Sequence, residues 1–378
     1  MFVHPEGNFN NNPHLYAVIG RLCEEGYNVT IQATRRSFSQ QAPHPGTEVV
    51  LHGRFISKIL SLLSRFRLGR IPSLLICTVL YRRSNPDLII GVDAAGIVIA
   101  SLLARLKGCS IALFSYELFF ESEIGKFRKR SEIEACRELE FAVVQDPTRG
   151  DQLARENQIE CSKMIYMPVA AAKSREASGG WLRSKLKIPK SKKIAVCMGS
   201  LTEWSGFDRL LSDLDRWPED WCLVAHHRYG FSDSIATKLQ KKHPDTLFLS
   251  TESFETNEDL GRLLGDADIG IAFYCPDYRS EYTGLNLYYI GLASGKISTF
   301  LEFGVPVLVN QIGDMADDVR AEQLGFVVES IEATPSSFKT IPAKDPAAVN
   351  RCQTYFDRVL SVNATIAPLL SKIELITR

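Results

Sequence analysis

Residues 294–309 read SGKISTFLEFGVPVLV, a Ser-Gly-Lys loop opening a short helix that passes through Gly304 into a buried strand. Ile297, Phe300 and Leu301 fall at helical spacing and form the expected buried stripe; Lys296, Ser298, Thr299 and Glu302 fall on the other side. The amides of a first helical turn, the positive end of the helix dipole and a lysine ammonium converge on one point there. The pattern suits a bound phosphate or diphosphate, with Ser294, Gly295 and Lys296 as its ligands. A P-loop needs four residues between its glycines and a Ser or Thr after the lysine. Here only three separate Gly291 from Gly295, and Ile297 follows Lys296, which excludes a Walker NTPase. An isolated Gly-Lys is more often a purely structural helix start, so the surroundings decide.

The 378 residues suit two domains of roughly 150 to 200 residues each. A hydrophobic share of 45% and a charged share of 23% describe a globular chain, and 44 basic against 44 acidic residues give no bulk field to attract nucleic acid. Nine scattered cysteines without a C-x-x-C pair fit reduced thiols and a cytoplasmic setting, and no spacing points to a metal. The opening MFVHPEGNFNNNP has neither the basic nor the apolar region of a signal peptide. Gly91, Asp93 and Gly96 break the apolar run 88–104 into strand, turn and helix, so no transmembrane helix is expected.

Along the chain, β-type runs such as LIIGV, IALF, FAVVQD, KIAVCMGS and WCLVAHH alternate with helical ones. Such alternation predicts an α/β protein of two doubly wound, Rossmann-like domains facing an interdomain cleft, with ligands at the carboxyl ends of the strands. The expected boundaries are 1–172 for the first domain, 173–192 for a small, polar linker, 193–360 for the second domain, and 361–378 for a closing helix returning to the first. Three loops of the second half end strands. Gly199-Ser200 follows KIAVCM, His226-His227-Arg228 follows WCLVA, and CPDYRSEYTGLNLYYIGLA carries Glu281 and Asn286, whose side chains suit sugar hydroxyls. Each taken alone reads as well as a tight turn, a solvated His pair or an ordinary surface loop.

Taken together, MGSLTEWSGFDRLL, LVAHH, LFLSTESF, ADIGIAFY and NLYYIGLASGKISTFLEFGVPVLVN resemble the C-terminal half of a GT-B glycosyltransferase of the group-4-like kind. PDLIIGVDAAGIVIASLLARLKGCSIALFSYELF is similar to that family's second βαβ unit, with Tyr116-Glu117 where many members have His-Glu. The resemblance implies transfer of a sugar from a nucleotide sugar to a glycan, lipid-linked or small-molecule acceptor, with retention of configuration and without metal or other cofactor. It assigns Gly199, Ser200, His226, Glu281, Asn286, Ser294, Gly295, Lys296 and Thr299 to the donor, Glu117 and Tyr116 to catalysis, and Gly7 and Asn8 to an acceptor-side loop. Thr299 and Gly291 stand where many members carry glutamates; Glu302, one turn later, is placed either to bind a ribose or as a plain polar helix residue. Ser205 replaces the usual lysine of the first C-domain helix, which leaves Lys296 as the sole diphosphate cation of that loop set unless Arg228 helps. A sugar-nucleotide epimerase and a catalytically silent subunit of a glycosylation complex are the alternatives. Asp213/Asp215 and Asp266/Asp268 read as structural pairs and not as a metal site. Residues 54–83 hold seven Arg and Lys and no acidic residue among Ile, Leu and Phe, a pattern that fits docking on an anionic inner membrane face as well as it fits a packed helix pair.

Overall fold

Every strand of the described chain pairs in parallel, so each sheet needs helices on its faces, and the apolar runs between Gly and Pro punctuation supply them. The computed structural model describes residues 1–5, 12–34, 44–52, 85–171, 179–227, 230, 233–250 and 257–378. Gly7, Asn8, Arg228 and the basic segment 54–83 lie outside them.

The first unit comprises Met1–Pro168 and Val362–Arg378. Its elements are β1 (Phe2–His4), α1 (Pro13–Glu24), β2 (Val29–Thr34), β3 (Thr47–His52), β4 (Leu88–Val92), α2 (Asp93–Lys107), β5 (Ser110–Phe114), α3 (Lys126–Cys136), β6 (Leu139–Val144), α4 (Pro147–Asn157) and β7 (Met164–Tyr166). The seven-stranded sheet runs β3-β2-β1-β4-β5-β6-β7, so the strand order reverses between β1 and β4. At that point β4 and α2 touch backbone to backbone. A Cβ on Gly91 would lie 2.4 Å from the Ile97 Cα, and one on Gly96 2.5 Å from the Val3 carbonyl oxygen.

The second unit is the continuous stretch Val169–Ser361. It contains α5 (Trp181–Leu186), β8 (Lys193–Gly199), α6 (Phe207–Ser212), β9 (Trp221–His227), α7 (Asp233–Lys242), β10 (Leu247–Ser250), α8 (Asn257–Leu264), β11 (Ile269–Ile271), α9 (Gly295–Glu302), β12 (Val307–Asn310), α10 (Met315–Ala321), β13 (Gly325–Val328) and α11 (Pro346–Tyr355). Its six strands run β10-β9-β8-β11-β12-β13, reversing between β8 and β11. Ile194, Val196 and Met198 enter the core on one face of the sheet and Ala195 and Cys197 the core on the other, the period of two that a doubly covered strand requires.

Part of the stretch expected as linker belongs to this unit. Leu182 is wholly buried, and the Asp266 carboxylate accepts the amides of Gly180 (2.6 Å) and Arg183 (3.0 Å) at the start of α5. The end of the chain returns to the first unit through α12 (Ala367–Thr377). Pro346–Thr377 is long and apolar enough, by length and composition, to cross a membrane. It is interrupted at Ser361, which is extended (ψ 143°), and its apolar side chains fill two different cores: Cys352, Phe356 and Leu360 the second unit's, and Val362, Ile366, Leu369 and Ile373 the first unit's.

Candidate functional site

Around the reversal point of the second sheet, β8 ends at Gly199, whose φ of 96° falls in the left-handed region open to glycine. A Cβ there would lie 3.3 Å from Lys296 Cε, so the lysine stem lies against the turn. Ser294 caps α9: its hydroxyl accepts the Ile297 amide at 3.2 Å and pairs with the Tyr274 hydroxyl, while its carbonyl accepts the Ser298 amide. Capping takes one of the first-turn donors; the mouth of the helix keeps the dipole and the adjoining ammonium. Phe300 anchors α9 from below, since a Cβ on Gly270 of β11 would sit 2.4 Å from its ring.

The burial of α9 differs from the one-stripe expectation. Ile297, Phe300 and Leu301 are buried, but so are Ser298 and Glu302, the last at 0% exposure. The helix lies between β12 on one side and α11 with the turn 356–360 on another, so a single apolar stripe cannot describe it. Ser298 and Thr299 both donate to the Gly295 carbonyl, at 3.0 and 2.8 Å. Glu302 is thus an interior residue and not a solvated helix polar group.

Other expected donor residues divide by exposure. His226 is 7% exposed and bonds Ser250 across the β9/β10 ends at 3.2 Å; the half-buried His227, register partner of Gly199, is the imidazole nearer the surface. Burial lowers the pKa of His227, which favours the neutral ring. Asn286 is 2% exposed and donates to the Tyr282 carbonyl at 3.3 Å, shaping its own loop, whereas Glu281 and Ser200 are half-buried.

Two aromatic residues that motif reading passed over complete the group. The Lys296 ammonium lies 4.7 Å from the ring centre of Trp204 and 5.3 Å from that of Tyr274, and the two rings are 20° from parallel. Asn310 grips Tyr274 by both backbone groups, accepting its amide at 2.9 Å and donating to its carbonyl at 2.8 Å. Ser205, expected to leave a cation missing, closes the turn Glu203–Ser205 in a reciprocal capping box with Thr202. The Asp pairs are structural: Asp215 bonds His243, Asp266 caps α5, and Asp268 accepts the Ile194 amide. Among the described residues no three His, Cys, Asp or Glu side chains form a group able to hold a metal.

In the first unit, the corner after β5 is fixed from two sides. Asp93, left-handed at φ 54°, accepts the amides of Tyr116 (2.6 Å) and Glu117 (3.0 Å) on one carboxylate oxygen. Arg149, 1% exposed, donates to the Tyr116 carbonyl at 2.7 Å and to Gln145 at 2.7 Å, and Gln145 donates to the Ser115 carbonyl at 2.6 Å. Burial lowers the Arg149 pKa, and the carboxylates of Glu117, Asp146 and Asp93 oppose that shift. Tyr116 stacks on Phe114 and its hydroxyl bonds His14 Nδ1 at 3.0 Å; burial first and Asp93 second raise its pKa well above the usual value. Tyr116 therefore stays protonated at neutral pH, its hydroxyl held by His14, and Glu117 beside it is half-buried. Asp93, Arg149 and His14 escaped motif reading; an acidic residue directly after LIIGV was the one available signal.

Residues 233–371 match the family described as glucosyltransferase 3-like, C-terminal domain. Sucrose-phosphate synthase from Thermosynechococcus elongatus superposes with a TM-score of 0.71 at 13% identity, covering 95% of this chain and 91% of that one. A glycosyltransferase from Rickettsia africae gives 0.71 at 12% identity over 100% and 98% of the two chains. Anabaena HepE in complex with UDP-glucose gives 0.68 at 10% identity over 99% and 98%. No curated protein sequence matches the chain. The chain thus has the GT-B fold of these solved glycosyltransferases, and its residues 233–371 match the glucosyltransferase 3-like C-terminal domain.

Proposed function

We propose that the protein transfers a glycosyl group from a nucleoside-diphosphate sugar, with the diphosphate at the mouth of α9 against Lys296. The carrying observation is the convergence of the Ser294-capped helix start, the Gly199 turn and the Lys296 ammonium at the strand-order reversal of the second sheet. Breaking the glycosidic bond places negative charge on the departing diphosphate and oxocarbenium character on the sugar. Fixed donors at the diphosphate therefore bind the transition state better than the ground state. Similarly folded HepE has been crystallised with UDP and with UDP-glucose, which makes UDP the first nucleotide to test.

The same proposal assigns Glu117 to the acceptor hydroxyl, has the departing phosphate take the proton with retention of configuration, needs no metal, and takes a glycan, lipid-linked or small-molecule acceptor in the cytoplasm. Calorimetric titration of the full chain with UDP, GDP, ADP and CMP tests the donor half. One nucleotide should bind, and Lys296→Met should weaken it by roughly 10- to 100-fold, as loss of a charge-assisted contact does. Silence with all four would refute the reading. Release of free sugar or transfer by the wild type, diminished in Lys296→Met, tests the chemistry.

A further inference from the structure

We infer that Trp204, with Tyr274, is a positioning residue that holds the Lys296 ammonium at the anion site; the inference rests on the donor reading above. A lysine carries a compact charge on a flexible four-carbon stem, so an unguided ammonium must be ordered each time an anion binds. Here the stem lies on the Gly199 turn and the ammonium sits within cation–π range of two rings, at 4.7 and 5.3 Å. Both rings are themselves fixed. Tyr274 is gripped by Asn310 and bonded to the Ser294 cap, and the turn bearing Trp204 is closed by Thr202 and Ser205, its carbonyl accepting the Cys275 amide at 2.7 Å.

Trp204 is half-buried and packs on the second unit's core, and the Lys296 ammonium lies over its ring. Ser205 shapes the turn that presents an aromatic face to the Lys296 ammonium, so that the cation is ordered in advance.

A double-mutant cycle tests this, read as the dissociation constant of whichever of UDP, GDP or ADP binds the wild type most tightly. Trp204→Leu should weaken binding by roughly 3- to 30-fold, the range that cation–π contacts span. In a Lys296→Met background the same change should have no further effect, and Trp204→Phe should recover most of the loss. Melting curves accompany the titrations. If Trp204→Leu melts early, Trp204→Met, which fills similar space without a π face, takes its place. Equal losses in both backgrounds, or none in either, would overturn the positioning role and leave the donor reading standing. Absence of any nucleotide binding by the wild type would remove both.

Discussion

Asp93 carries the cost of a left-handed backbone and offsets it with a carboxylate that accepts two successive amides at the Tyr116–Glu117 corner. Asparagine tolerates that backbone region and keeps an acceptor oxygen, whereas alanine does neither. Asp93→Ala should therefore lower unfolding free energy by about 2–4 kcal/mol and Asp93→Asn by about 1 kcal/mol, read from urea denaturation followed by circular dichroism. Equal effects of the two would show that the amide contacts contribute nothing. The same residue shows where legibility stopped. Asp93 precedes Tyr116 by 23 positions, and only the parallel pairing of β4 with β5 brings them together. Lys296 was legible because its helix start, its cap and its charge sit side by side in sequence. Trp204 and Tyr274 were not, because their common partner lies on a third segment.

Among the elements, α9 is the one whose placement sets the site, and Gly270 determines how close it comes to the sheet. A methyl group at Gly270 would stand 2.4 Å from the Phe300 ring, so Gly270→Ala should push the helix, Lys296 included, away from Gly199. The expected loss is about 1–3 kcal/mol of stability, together with weaker nucleotide binding, and Phe300→Leu in the same chain should recover part of both. Binding that survives Gly270→Ala unchanged would mean that helix position is not limiting. The strands and α9 itself were readable because apolar period and Gly/Pro punctuation are local signals. The burial of Ser298 and Glu302 was not, since it depends on α11 and the turn 356–360, about fifty residues downstream. The helix Trp181–Leu186 hid for a similar reason: its small, polar surroundings read as linker, and only the distant Asp266 shows what starts it.

At the scale of the whole molecule, two buried histidines of the first unit carry strongly lowered pKa values. Burial lowers the pKa of His14 to about 3 and that of His4 to about 4, from 6.5 for both, and both lie in the first unit. Below about pH 6.5 the unfolded chain takes up protons that the folded rings refuse, so this stability is full above that value. It drains as pH falls, by up to roughly 1.4 kcal/mol per pH unit for each ring, until the folded values near 4 and 3 are reached. His227 in the second unit shifts the same way, but its ring is only half-buried. Trp181, Trp204, Trp217 and Trp221 all belong to the second unit, so acid titration should lower circular dichroism before tryptophan emission moves; coincident transitions would contradict the assignment. The return of Val362–Arg378 to the first unit carries a further consequence, for biosynthesis. As the chain leaves the ribosome, Val169–Ser361 emerges as one uninterrupted piece and can settle first, while the earlier-made sheet waits with the seats of Val362, Ile366, Leu369 and Ile373 still open to solvent. Translation order and completion order are thus reversed, since the first unit's core closes only after the whole of the second unit has been made.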